Sequence, residues 1–136
     1  MRAIIEFLNL IIEFCKAEGI ILTIVDNYDL LIDRRLHGIR FTSDYEKIEL
    51  LRTQAGAHPI VGVNISDISD LKQLRYLDID YLVINVPKIG ADDSCLLVKG
   101  IKKQWNIRVV GEIDTIDSAT QNKLLEAGFD GFCLKL

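Results

Sequence analysis

No run of lysine or arginine forms a basic stripe anywhere in this 136-residue chain, whose formal net charge is −4 and whose pI is near 5.1. Such a surface repels polyanions, so neither nucleic acid nor an anionic membrane is an expected partner. Cysteine is scarce: Cys15, Cys95 and Cys133 are scattered, with no CxxC or Cys/His ligand spacing. That pattern argues against a disulfide framework or zinc site and for buried free thiols in a reducing compartment. The two histidines, His37 and His58, each precede an apolar run, a position that suits structure better than catalysis. No nucleophile elbow, P-loop or dinucleotide fingerprint is present. Long apolar runs are missing too. Glu6, Asn9 and Glu13 interrupt the N-terminal one, and no small-residue cleavage site follows Ala17-Glu18-Gly19. Neither a signal peptide nor a bilayer span is expected, and the cytoplasm is the expected location.

What is present is apolar material in a regular arrangement. Hydrophobic residues make up 49% and charged residues 26%, enough for one core in a single domain over residues 1–136. Residues Arg2 to Lys16 read as a helix. Arg2, Glu6, Asn9, Glu13 and Lys16 fall on one narrow polar stripe, and Gly19 stops the helix. The remaining surface, including Ile4, Ile5, Phe7, Leu8, Leu10, Ile11, Ile12 and Phe14, is wider than one sheet contact needs. A second contact is implied, with either another helix of the same chain or a partner subunit; a homo-oligomer is the expectation carried forward.

Six β-branched or aromatic runs follow: Ile20–Val25, Gly38–Thr42, Ile60–Asn64, Tyr81–Val86, Ile107–Glu112 and Gly131–Lys135. Their starts are 18, 22, 21, 26 and 24 residues apart. They are apolar on both faces, as expected of parallel strands covered by helices. Helical patterns fill the gaps at Asp44–Gln54, Ser66–Leu77, Ser94–Gln104 and Ser118–Ala127, with Ser66, Ser94 and Ser118 as N-caps and Gly128 as a C-cap. Alternating βαβα units with right-handed crossovers imply a parallel sheet, and the short period favours a TIM-type barrel of roughly 25–30 residues per unit over a doubly wound sheet. Six strands do not close an eight-stranded barrel, and two uncovered sheet edges follow. The expected fold is an incomplete (βα) barrel of six parallel strands, lacking two strands at the start and one helix at the end.

Residues Phe14 to Leu31 run from a Cys-and-Gly helix end through a strand into Val25-Asp26-Asn27-Tyr28-Asp29-Leu30. His37-Gly38-Ile39-Arg40-Phe41, Pro59-Ile60-Val61-Gly62-Val63-Asn64, Asp80-Tyr81-Leu82-Val83 and Glu126-Ala127-Gly128-Phe129-Asp130-Gly131 follow in order. This series resembles the thiamine phosphate synthase and thiazole tautomerase family, whose corresponding motifs are Asn-Asp-Arg-x-Asp-Leu, Asp-Gly-Val-His-Leu and Ile-Gly-Val-Ser. The resemblance covers nearly the whole chain, from the family's second helix to its eighth strand. It implies transfer of a pyrimidine methyl group from its pyrophosphate to a thiazole phosphate, with Mg2+ assisting the leaving group. A phosphorylated small molecule is the implied partner.

The resemblance places Asp26 at one magnesium aspartate position; the alternative is an Asx-turn leaving the strand. The second such position falls on Tyr45, with Asp44 one residue early as substitute ligand or as helix start. Asn64 stands where the family has a serine touching the pyrimidine. Asn27 and Asn85 are further candidate substrate contacts, and Lys88 is the candidate for neutralising pyrophosphate. The departures are substantial. Val86-Pro87-Lys88-Ile89-Gly90 lacks both threonines of the family's Thr-x-Thr-Lys loop, and Ile113-Asp114 replaces a Gly-Gly phosphate cradle with a carboxylate. Loss of activity is therefore one reading, leaving a ligand-binding or oligomeric scaffold. Another is an epimerase-like enzyme in which Glu112 and a lysine, Lys88 or Lys135, form an acid–base pair across the barrel mouth; against it stands a solvated acidic loop through Asp114 and Asp117. Asp92-Asp93 reads as an exposed turn or helix cap rather than a metal pair.

Overall fold

The computed structural model describes residues 2–34, 36–56 and 58–135; within the first helix the side chains of Arg2, Ile4 and Ile5 lie outside what is described. The chain opens with α1 (Arg2–Glu18), which ends at Gly19 in a left-handed conformation, φ 68°. Strands β1 (Thr23–Val25), β2 (Gly38–Phe41), β3 (Ile60–Asn64), β4 (Tyr81–Asn85), β5 (Arg108–Ile113) and β6 (Gly131–Leu134) then alternate with helices. They form one sheet in the order β1-β2-β3-β4-β5-β6, with every neighbouring pair parallel. The result is a curled half-barrel, an incomplete TIM-type α/β fold. Among the described residues no helix is long and apolar enough to cross a membrane.

The intervening helices are α2 (Tyr28–Arg34), α3 (Glu46–Ala55), a 3-10 turn (Ile68–Asp70) running into α4 (Leu71–Leu74), α5 (Val86–Ile89), α6 (Ala91–Gln104) and α7 (Ser118–Ala127). Two of them, α2 with seven residues and α5 with four, are too brief to generate a clear apolar period in the sequence. The expected helix at Ser66–Leu77 is shorter than its pattern and begins as a 3-10 turn.

The expected serine caps are corrected. Asp67 accepts from the Ser69 N–H at 2.8 Å, and Asp117 accepts from the Ala119 N–H at 3.1 Å, so an aspartate one residue away does the work expected of Ser66 and Ser118. A charged carboxylate is the stronger acceptor and also complements the helix dipole. Ser94 lies inside α6, fully buried, with no partner for its hydroxyl among the described residues. Gly128 does close α7.

The register separates the two faces of the sheet. Ile24, Ile39 and Val61 lie side by side, as do Val63, Leu82 and Val109. These side chains pack against Ile48 and Leu51 of α3, Leu71 and Leu74 of α4, Val98 and Ile101 of α6 and Leu124 of α7, forming the core. Alternate residues point the other way. There Asn64, Val83 and Val110 form one row across the strands, and Asn85, Glu112 and Cys133 the next. The expectation that both faces are apolar is therefore corrected: helices cover only the convex face. Along β2 the concave face carries Arg40, and Gly62 beside it has no side chain because the Tyr81 ring occupies the space a Cβ would need. Tyr81 lies partly buried over this glycine.

Candidate functional site

In a parallel sheet every strand delivers its carboxyl end to the same rim, and here that rim gathers the residues singled out in the sequence. Asp26 directly follows β1, Asp44 lies in the turn after β2, Asn64 ends β3 and Asn85 ends β4. Lys88 sits in α5, Glu112 is next to last in β5, and Lys135 directly follows β6. His37 and His58 precede β2 and β3 at the opposite end, where they border a largely apolar cavity of about 550 Å³ with Ile21, Leu31 and Ile60.

The individual roles differ. Asp26, with φ 58°, accepts the Thr42 N–H at 2.8 Å on one carboxylate oxygen and the Thr42 hydroxyl on the other. Its own N–H donates to the Arg40 carbonyl at 2.9 Å, so the residue stitches the end of β1 to β2. Asp44, also left-handed at φ 61°, is exposed and pairs with Lys47 at 3.4 Å. Asp26 borders a cavity with Asn27 and Lys47 that Asp44 does not line, and among the described residues no three His, Cys, Asp or Glu side chains group as metal ligands. As arranged, this pair does not fit a magnesium ion, because each carboxylate already serves a protein partner. Asn27 accepts the Leu30 N–H at 3.1 Å and Asn85 the Lys88 N–H at 3.2 Å, so the side-chain carbonyls of both cap short helices.

Tyr45, at the position where the resemblance expects a second aspartate, donates its hydroxyl to the Asn64 carbonyl at 3.0 Å. Burial, with the nearby Asp70 charge, pushes its phenol above the ordinary value. Asn64 Oδ1 is shielded and meets no partner among the described residues. Asn64 and Tyr45 line a cavity of about 110 Å³ with Thr42, Asn85 and Lys88. A neighbouring cavity of about 360 Å³ shares Asn85 and Lys88 and adds Pro87, Glu112, Ile113, Asp114 and Lys135. The structure thus brings Asn64, Asn85, Lys88 and Glu112 to one part of the rim, and leaves Asp26, Asn27 and Asp44 at the β1–β2 end.

Glu112 is not part of a solvated loop. It is 6% exposed, and Arg40 Nη2 reaches its Oε2 at 2.8 Å from β2, across the concave face. Arg40 Nη1 also donates to Cys133 Sγ at 3.9 Å, while Arg40 Nε is shielded and without a partner among the described residues. Burial raises the Cys133 thiol pKa, Arg40 opposing and Glu112 adding to the effect. Of the three cysteines Cys15 and Cys95 are buried as expected, and Cys133 is half-buried on the concave face. Arg40 was missed in the sequence. Its signal was a lone charge inside the short apolar strand Gly38–Phe41, a residue type that a helix-covered face would not tolerate.

No protein-family model matches the chain, and no curated protein matches it by sequence. Solved structures do. A thiamine phosphate pyrophosphorylase from Pyrococcus furiosus superposes with a TM-score of 0.74 at 18% identity, covering 96% of this chain and 65% of the other. A FabK mutant from Thermotoga maritima superposes with a TM-score of 0.62 at 14% identity, covering 81% of this chain and 41% of the other. The chain therefore spans just under two thirds of the pyrophosphorylase. At these identities the likeness carries the architecture and nothing finer: six parallel strands alternating with helices in an incomplete TIM-like barrel.

Proposed function

We propose that this chain binds a phosphorylated small molecule at the carboxyl-terminal rim, with Lys88 and Lys135 receiving the phosphate and Asn64 and Asn85 supplying hydrogen bonds. The observation that carries the reading is the cavity of about 360 Å³ that Lys88 and Lys135 share. Neither ammonium is ion-paired among the described residues, so both remain available to an anion. The name of the Pyrococcus furiosus structure supports the ligand class. Titration calorimetry with inorganic phosphate and pyrophosphate tests it: binding should weaken at least tenfold in Lys88→Ala. No heat from either anion would reject the reading.

The finer version is a divergent thiamine phosphate synthase-like transferase using Mg2+. It rests on the resemblance around Asp26 and on the neighbour's name, and it requires Asp26 to leave Thr42. A coupled assay with both thiamine precursors, with and without magnesium, decides it. Product above background that disappears in Asp26→Ala supports transfer.

The buried Glu112, lining one cavity with Lys88 and Lys135, supports a second reading for the same rim, proton transfer by an epimerase-like enzyme. Solvent deuterium incorporation into a sugar phosphate, lost in Glu112→Gln, is its signature. An assembly role is supported by α1, whose Phe7, Leu10 and Phe14 are about two-thirds exposed at 64%, 65% and 60%. Light scattering tests that one.

A further inference from the structure

The cavity of about 360 Å³ contains more than the two lysines a phosphate needs. Glu112 and Asp114 line it as well, so charges of both signs face one small space. They do not cancel in pairs. Among the described residues neither Lys88 nor Lys135 bridges to Glu112 or Asp114. Glu112 is nearly buried and fixed from behind, because Arg40 Nη2 holds its Oε2 at 2.8 Å. Among the described residues no hydrogen bond occupies its other oxygen, Oε1. Asp114 is exposed, directly after β5, and likewise has no partner among the described residues. A plain phosphate dianion would gain from the two lysines and be opposed by two carboxylates at close range. With Arg40 behind Glu112, the local balance is three cations against two carboxylates.

We infer that the ligand of this rim is a zwitterion, a phosphate monoester that also carries a protonated amine. Its phosphate lies on Lys88 and Lys135, and its ammonium donates to Glu112 Oε1 and the Asp114 carboxylate. A monoester has a charge of roughly −1.5 to −2 at pH 7; one ammonium brings it near −1, the complement of the site. The three donors of an ammonium suit two carboxylates that have acceptor capacity to spare. Arg40 acts as a positioning residue that holds Glu112 at the cavity wall. This inference rests on the phosphate-binding reading above and narrows it.

The test compares 2-aminoethyl phosphate with ethyl phosphate by titration calorimetry on the full chain, with inorganic phosphate as a third probe. The amine should tighten binding at least tenfold. That preference should shrink to near unity in Asp114→Asn, an exposed position where folding is not at risk, and in Glu112→Gln if its circular dichroism stays native. Equal affinity for the two esters would overturn the zwitterion while leaving phosphate binding intact, and a preference that survives both variants would overturn the assignment to these carboxylates. Silence from all three probes would remove the phosphate reading and this inference together.

Discussion

Arg40 and Glu112 decide more about the concave face than any other two residues. Their side chains are 18% and 8% exposed, so removing one leaves a charge that water reaches poorly. Breaking such a pair costs about 3–5 kcal/mol, whereas replacing both members by apolar residues of similar volume is near neutral. Urea unfolding should therefore show Arg40→Met falling by that amount and Arg40→Met/Glu112→Leu recovering most of it; a single variant as stable as the double would contradict the burial. Cys133 reports on the same neighbourhood. Its pKa is raised, so at a given pH it holds less thiolate than a free cysteine, and the thiolate is the nucleophile. Iodoacetamide labelling, followed by peptide mapping to separate it from Cys15 and Cys95, should rise with pH later than for glutathione. Little of this was legible in the sequence. Glu112 stood out at a strand end, but its partner lies 72 positions earlier, and only the curl of the sheet brings Arg40 across to it.

At the level of elements, one device recurs at every second strand. Asp80, immediately before β4, accepts the Val61 N–H of β3 at 2.8 Å and pairs with Arg52 of α3 at 3.2 Å. Asp130, immediately before β6, accepts the Val109 N–H of β5 at 2.8 Å and pairs with Lys102 of α6 at 2.7 Å. His37, immediately before β2, accepts the Leu22 N–H at 3.2 Å through Nδ1. Each acceptor holds the start of a strand to its predecessor, and the two aspartates also fasten the helix that leads into the earlier strand of each pair, so the sheet is stitched in strand pairs. Burial pushes the Asp130 carboxyl up, but the Lys102 and Val109 hydrogen bonds outweigh it, and its pKa lies below the usual carboxylate value. A depressed carboxyl stabilises the fold above the unfolded pKa of about 3.9 and loses that contribution as pH falls through the folded value. Acid titration of stability should accordingly flatten below pH 4 in Asp130→Asn relative to the parent, with a loss at neutral pH on the order of 0.5–1.5 kcal/mol from the lost charge on the partly exposed Lys102 pair; parallel curves would refute the clamp. Strand starts were legible because apolar runs begin there. The acidic residue one position earlier belongs to the motifs Asp80-Tyr81-Leu82-Val83 and Glu126-Ala127-Gly128-Phe129-Asp130-Gly131, but its hydrogen-bond partner lies on another strand and has no local signal.

For the molecule as a whole, the apolar runs exposed six parallel strands and their order, because burial on the helix side sets a strong pattern. What the sequence did not reveal is that the other face is polar, since short strands with Val83 and Val110 between Arg40, Asn64 and Glu112 look continuous on paper. The broad apolar surface of α1 was legible, and the structure divides it. Ile12 and Cys15 are buried and Leu8 packs against the core, while Phe7, Leu10 and Phe14 face outward, followed by exposed Ile20 and Ile21 at the entry to β1. Those five side chains expose roughly 500 Å² at their fractional accessibilities, against about 800 Å² per partner in a standard interface. Strand β1, an edge of the sheet, adds unpaired backbone groups beside them. A two-fold axis next to β1 would pair it antiparallel with its copy and bring the two α1 faces together, closing the shortfall with main-chain hydrogen bonds. Multi-angle light scattering should then return twice the 15.4 kDa chain mass at micromolar concentration. Phe14→Glu should shift the equilibrium to monomer by at least tenfold in dissociation constant without changing the far-ultraviolet spectrum, since Phe14 is 60% exposed and, among the described residues, is not one of those packed against the core. A parent protein that stays at one chain mass up to 100-fold higher concentration would show that neither face nor edge associates with its own kind.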